Sequence, residues 1–512
     1  MLKKEFQFNW RKNEIKYLGI KLTPTPEKLY KTNFLELLNE VRSELNRLSP
    51  RIFSWIGRIN TIKMIILPKI IYKFQMIPIS LPQVFFKTLK RLISRFIWKY
   101  KKPRVKYTTL CKGKGQGGLA LPDFKNYYFA AILTRVIEWT KKNNDRNWVV
   151  IESTMSGTHL AKVIWIPERF RNLDTNTHII TRHAIKVWDN IHKKENWKHN
   201  SPLIPLQGTK FFAPGEEKEL GKWIEEGEAQ LGDIVEKGKI ITLAELKQRK
   251  ENWKINEWRY IQLKHFTLSL PQPLRDINDL RPLEQLCLKD KIINNISNVY
   301  KILLTITKER GITLKEKWER DLGPCSNNKQ WDKSLQLVHK SAIDTNTEEM
   351  NYKLITRWYN TPDKMGRIQV ESSRLCWRGC QMVGTIAHIW WECPKIKVFW
   401  SEVIELISKI TKIDIPLDPW KCMFHGTHMS VKQYKKTLLP HLLNSAKSLI
   451  PFNWQKEEAP SRKDWLLKVE KIRKLEQLRT WEEEEQGNEE EIWDEWQEFK
   501  DTREYREIIG VE

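Results

Sequence analysis

Apolar residues recur along much of the chain at helical spacing. Phe34, Leu37, Leu38, Val41, Leu45 and Leu48 fall at i, i+3, i+4, i+7, i+11 and i+14, one face of a helix that Pro50 ends. Ile59, Ile62, Ile66 and Ile70 mark a second helix from Trp55 to Met76, with Pro68 as a kink or break. A third begins after Pro82, with Phe85, Leu89, Leu92, Ile93, Phe96 and Ile97 on one face. Three amphipathic helices with short connections predict a small bundle. Extended pieces are expected at Lys106–Leu110 and Gly118–Leu121, around Gly113-Lys114-Gly115-Gln116-Gly117-Gly118. That Gly-rich run lacks the Lys-Ser/Thr and following helix of a phosphate-binding loop and reads as a hairpin turn. Pro122-Asp123 opens a further helix through Tyr127, Ala131, Val136 and Trp139.

Residues 143–350 are less legible. Pro202, Pro205, Pro214 and Gly215 suggest a boundary, and Leu243–Leu263 and Ile292–Ile306 read as helical in part. Val398–Ile410 reads as a helix, and Trp465, Leu466, Val469, Ile472, Leu475 and Leu478 form an apolar stripe. The fold class expected is mostly α.

Charge changes the picture. Lys and Arg number 89 against 63 Asp and Glu, a formal net charge of +26 over 512 residues. Residues 481–512 hold 14 acidic and 3 basic side chains, net −11, so the first 480 carry +37. A body that basic suits a polyanion such as nucleic acid, or an anionic membrane surface. Candidate phosphate contacts are Arg58, Lys63, Lys69, Lys73, Lys87, Lys90, Arg91 and Arg95, with Lys101, Lys102 and Arg104 in the connector that follows. The acidic end reads as a solvated face or a disordered tail. No stretch reaches the ~18 apolar residues of a membrane span, and no signal peptide is expected. The 24 Trp can plug helix contacts or stack on bases, with core packing expected for most.

Seven cysteines do not make a disulfide scaffold. Three of them cluster: Cys376, Cys380 and Cys393 combine with His388 in a C-x3-C-x7-H-x4-C pattern. Three thiolates and one imidazole are a tetrahedral zinc set, one ion per chain. The alternative is three buried thiols and a hydrogen-bonded His388. Gly379 and Gly384 ease the backbone there, and His425 and His428 are substitute ligands if His388 points away. Cys111, Cys287, Cys325 and Cys422 are isolated. The chain has no Asp-Asp pair, G-x-S-x-G elbow, H-E-x-x-H pair or complete Walker loop, so a binding module is favoured over an enzyme.

Tyr17-Leu18-Gly19-Ile20, Ser54-Trp55-Ile56-Gly57-Arg58-Ile59-Asn60, Leu121-Pro122-Asp123-Phe124 and the Cys376–Cys393 cluster together resemble LINE-type non-LTR retrotransposon reverse transcriptases. Tyr17-Leu18-Gly19-Ile20 is similar to the segment just beyond that family's polymerase palm. Ser54-Trp55-Ile56-Gly57-Arg58-Ile59-Asn60, Lys63-Met64, Ile66-Leu67-Pro68-Lys69-Ile70, Ile77-Pro78, Leu81-Pro82 and Phe96-Ile97-Trp98 resemble its thumb. Gly117-Gly118-Leu119 and Leu121-Pro122-Asp123-Phe124 continue the block. Cys376-Trp377-Arg378-Gly379-Cys380 with His388-Ile389-Trp390-Trp391-Glu392-Cys393 is similar to the family's C-terminal cysteine/histidine motif. Similarity is strong over residues 15–142 and 350–425 and faint elsewhere.

The resemblance implies a thumb-like helical bundle with a basic hairpin over 1–142, a helical linker over 143–350, and a zinc-type module over 351–430. C-terminal helices over 431–480 and the acidic tail over 481–512 complete the expected order. It implies a severed, truncated C-terminal piece of a polyprotein, without the palm's catalytic aspartates or the endonuclease. No catalytic residue carries over. RNA or DNA is the expected partner, in the cytoplasm or nucleus, with no membrane. An inert or protein-interaction product of a decayed element copy is the alternative, its partners docking on an exposed thumb face or on the acidic tail.

Overall fold

The computed structural model describes residues 14–51, 53–141, 146–194, 201–206, 229–270, 272–289, 295–306, 313–325, 328–342, 344–369, 371–483 and 490–510. The fold is mostly α. Strands among the described residues are two hairpins, Ile15–Tyr17 with Ile20–Leu22 and Val235–Glu236 with Lys239–Ile240. Pro214, Gly215 and residues 292–294, where a boundary and a helix start were expected, lie outside the described residues. Two compact units interleave along the chain. One takes Met1–Ser49, Lys63–Ile93 and Pro122–Glu309, the other Pro50–Ile62, Ser94–Leu121 and Arg310–Glu512.

In the first unit, Leu37, Leu38, Val41, Leu45 and Leu48 of the Glu36–Leu48 helix are all buried. Phe34, just before them, meets Phe85 edge-on at 5.7 Å and Phe74 at 6.3 Å. The helix Phe124–Trp139 is capped by Asp123, whose carboxylate accepts from the backbone N–H of Lys125 and Asn126. It is apolar on most sides and buries Tyr128, Ala130, Ile132, Leu133, Val136 and Ile137, so it serves as a central rod. Helices Ile179–Lys194 and Asn295–Ile306 pack against it. Tyr300 stacks on Tyr127 at 3.8 Å and accepts the backbone N–H of Asp123. The hairpin at Tyr17-Leu18-Gly19-Ile20 turns through two left-handed residues, Leu18 and Gly19.

The region 55–76 is helical with an interruption where a kink was expected. Trp55–Thr61 and Leu67–Met76 are α-helical, and Ile62–Ile66 between them is π-helical. Pro68 has no N–H to give and its ring crowds the preceding turn. The wider turn just before it absorbs that conflict.

One sequence expectation changes at the Gly-rich run. Lys106–Leu110 is not extended, because Tyr107–Cys111 is a helix. The hairpin-like return survives through Leu119 and Leu121, whose N–H groups both donate to the Leu110 carbonyl. A Cβ on Gly118 would stand 2.1 Å from the Lys112 carbonyl oxygen, and Gly117 has φ +77°. These glycines answer to backbone crowding in a turn.

The second unit has a tryptophan-rich core. Among the described residues thirteen Trp are buried, so packing is their main use. A buried indole N–H needs an acceptor. Trp400 donates to the Trp390 carbonyl, Trp465 to that of Leu442 and Trp318 to that of Ile355. The expected stripe on the helix Arg462–Glu483 is buried only at Trp465, Leu466 and Val469, whereas Leu475 and Leu478 are more than half exposed.

At the acidic end the two expectations separate: residues 490–510 are not a disordered tail but helices with a solvated acidic side. Helices Glu490–Lys500 and Arg503–Ile509 pack on the Pro394–Thr411 and Arg462–Glu483 helices. Trp493, Trp496 and Phe499 recur at i, i+3 and i+6 and are buried, while Asp494 and Glu498 are exposed. Residues 484–489 lie outside the described residues.

Candidate metal centre

Cys376 and Cys380 sit at the tip of a short hairpin. The N–H of Cys376 donates to the Met382 carbonyl and that of Gly384 to the Arg374 carbonyl. Gly379 and Gln381 turn the tip with φ of +74° and +58°. A Cβ on Gly384 would lie 2.5 Å from the Pro362 ring, so a close approach also demands glycine there. His388 and Cys393 come from one wide helical turn, His388–Glu392, in which the Cys393 N–H donates to the His388 carbonyl five residues back. An ordinary α-turn would rotate residues five apart away from each other. The π-turn brings them to one side.

All four ligand atoms lie within 4.8 Å of one another. The Cys380 Sγ stands 3.2 Å from His388 Nε2 and 4.0 Å from Cys393 Sγ. A tetrahedral zinc ion with ~2.3 Å Zn–S bonds needs sulfur–sulfur edges of about 3.8 Å. The cluster could hold a metal ion. Cys376, His388 and Cys393 are buried and Cys380 is half-buried.

The local electrostatics differ from one ligand to the next. Burial pushes the Cys376 thiol above its ordinary pKa, against the backbone N–H of Arg378, which donates to its sulfur. Burial acts the same way on Cys380, but the Met382 N–H and the Cys376 and Cys393 thiols outweigh it and hold that thiol below the ordinary value. Burial, with the Arg378 charge second, lowers the His388 pKa and so favours the neutral imidazole a metal requires. Backbone N–H groups aimed at sulfur support thiolates in the same way that outer partners orient metal ligands elsewhere.

The substitute ligands are placed elsewhere. His425 is buried 2.7 Å from the Tyr434 hydroxyl and 2.6 Å from Lys447 Nζ, and His428 is exposed. Cys111, Cys287, Cys325 and Cys422 are buried outside the cluster. Arg378, which no metal-ligand spacing would single out, is 1% exposed within the loop between Cys376 and Cys380.

The candidate phosphate contacts divide. Arg58 is fully buried, donates to the carbonyls of Phe96 and Arg51, and lies 4.8 Å over the Phe96 ring. It is a core residue and not a surface contact. Lys73 is half-buried, donates to the Gly19 carbonyl at 2.7 Å, and has its pKa lowered by that burial. Lys63 is half-buried, and Lys69 is exposed beside Glu44 at 3.4 Å. Lys87, Lys90, Arg91 and Arg95 are exposed on the Gln83–Ile97 helix, opposite its buried apolar stripe. Lys101, Lys102 and Arg104 are also exposed, with Arg104 5.1 Å over the Trp358 ring.

No family model matches the chain. Among the described residues, no helix is long and apolar enough to cross a membrane.

Proposed function

We propose that this chain is a nucleic-acid-binding segment of a LINE-type reverse transcriptase, without a polymerase or endonuclease site of its own. It works inside the cell, in the cytoplasm or nucleus. Its C-terminal module is held by one zinc ion on Cys376, Cys380, His388 and Cys393. The observation that carries the reading is the Gln83–Ile97 helix. It buries Phe85, Leu89, Ile93, Phe96 and Ile97 and leaves Lys87, Lys90, Arg91 and Arg95 in solvent. Positions 87, 90 or 91, and 95 share one side of a helix, a spacing that lets a row of cations follow a phosphate backbone. The resemblance in the first 142 residues supports the same reading.

Zinc fits because four N/S donors converge with no carboxylate among them, a closed set of the structural kind. When bound, the ion ties hairpin and helical turn together. Elemental analysis of the purified chain should give about one zinc per molecule, and Cys393→Ser should lose it together with local structure.

Gel-shift titration with structured RNA tests the main reading. Micromolar or tighter binding that weakens steeply with salt is expected, and absence of binding at low salt defeats it. A protein-docking role is favoured by a different observation, the exposed apolar residues Tyr17, Leu18, Met64, Met76 and Val84. Partners that survive nuclease treatment in a pull-down would support that second reading.

A further inference from the structure

The metal-centre reading accounts for four ligands but leaves a charge. Arg378 lies inside the ligand loop and is 1% exposed. Its Nη1 donates to the Ile389 carbonyl at 3.1 Å, on the same helical turn that supplies His388 and Cys393. Its Nε and Nη2 have no hydrogen-bond partner among the described residues. Asp363, the carboxylate paired to the hairpin residue Arg374, is also held by Arg367 at 2.7 Å. No carboxylate is ion-paired with Arg378 among the described residues.

A guanidinium stays charged at any physiological pH. A buried, uncompensated charge is costly. A divalent ion with three thiolates and a neutral imidazole carries a net charge of −1, because two positive charges meet three negative ones. One buried cation beside it makes the ensemble neutral.

We propose that Arg378 is the charge-balancing residue of the metal centre, and that it sets the site for a divalent ion held by three ionised thiolates. This rests on the zinc reading above. The Arg378 guanidinium is not itself one of the four ligands; its backbone N–H already serves the Cys376 sulfur. It acts through the charge it places inside the ligand loop, held there by the Ile389 carbonyl.

The idea has a signature that simple packing lacks. Removing the cation harms a centre of charge −1, but it relieves a centre in which one thiolate has become an imidazole. Zinc affinity of the full chain is measured by competition with a chromophoric chelator. Arg378→Met in the native ligand set is expected to weaken zinc binding by about 10–100-fold. Arg378→Lys, which keeps the charge, recovers most of that loss. With Cys380→His the centre gains one unit of charge, and there Arg378→Met leaves zinc affinity unchanged or tighter. If the single Arg378→Met chain does not fold, the comparison of Cys380→His with the double variant still reads the sign.

Equal weakening in both backgrounds would overturn the proposal, as would an Arg378→Met chain that binds zinc like the unaltered protein. An unaltered chain that takes up no zinc defeats the metal reading itself, and that result is distinct from either of these.

Discussion

At the scale of single residues, Arg58 shows how a charge changes meaning when its surroundings are known. Its stem and guanidinium lie against Phe96, and its donors serve two backbone carbonyls. Arg58→Met keeps much of the apolar packing but leaves the buried Phe96 carbonyl without this donor, which costs about 1–3 kcal/mol. Urea unfolding should show that loss, while RNA affinity per folded molecule stays unchanged. A variant as stable as the parent but weaker for RNA would return Arg58 to the phosphate contacts. Gly118 makes a similar point. Any side chain there collides with the Lys112 carbonyl, so Gly118→Ala forces the turn to shift. The four metal-ligand candidates were legible from spacing alone. Arg378 was not, because burial and the lack of an acid partner are not properties of sequence.

At the scale of elements, the C-terminal helices carry the clearest consequence. Trp496 donates to Glu470 at 2.9 Å and Trp493 donates to Glu476 at 3.0 Å. The later tryptophan meets the earlier glutamate, so Glu490–Lys500 runs antiparallel to Arg462–Glu483. Burial acts to raise the Glu470 pKa, but Arg473, the Trp496 indole and Lys500 outweigh it and bring it from 4.5 down to about 2. A carboxylate depressed on folding contributes stability that is present above its ordinary pKa and lost as pH falls through its folded one. The contribution of Glu470 should therefore fade between about pH 4.5 and 2. Glu470→Gln should remove that acid dependence from tryptophan fluorescence of the docked helix. An unchanged acid limb in the variant would assign it elsewhere. Trp496→Ala removes a fully buried indole and should destabilise its unit by about 3–5 kcal/mol in chemical denaturation.

The long helices were readable because their apolar period is sustained over several turns. The docking side of the acidic end is hard to read because high charge masks Trp493, Trp496 and Phe499. Three apolar residues at helical spacing suffice when large aromatic partners such as Trp465 wait in the core. The Tyr107–Cys111 helix was missed because five residues offer too short a window for periodicity. Short helices of this kind also made the middle of the chain hard to read.

At the scale of the whole molecule, a net charge of +26 makes salt the natural variable for any nucleic-acid experiment. Replacing Lys87, Lys90, Arg91 and Arg95 with Gln should reduce the magnitude of the log–log salt slope by up to about 3 for single-stranded RNA. Circular dichroism should be unchanged, since these side chains are exposed. A slope equal to the parent's would place the phosphate contacts on other residues.

The sequence by itself determined the helical class, the main amphipathic helices and the Cys376–Cys393 ligand pattern. Each is written in local spacing, which backbone geometry converts directly into a face or a turn. Tertiary structure alone decided that Arg58 is core, that the acidic end docks as helices, and that Arg378 is enclosed beside the thiols. Those outcomes depend on which distant residues close over a side chain, and burial, not residue type, sets the energy of a charge.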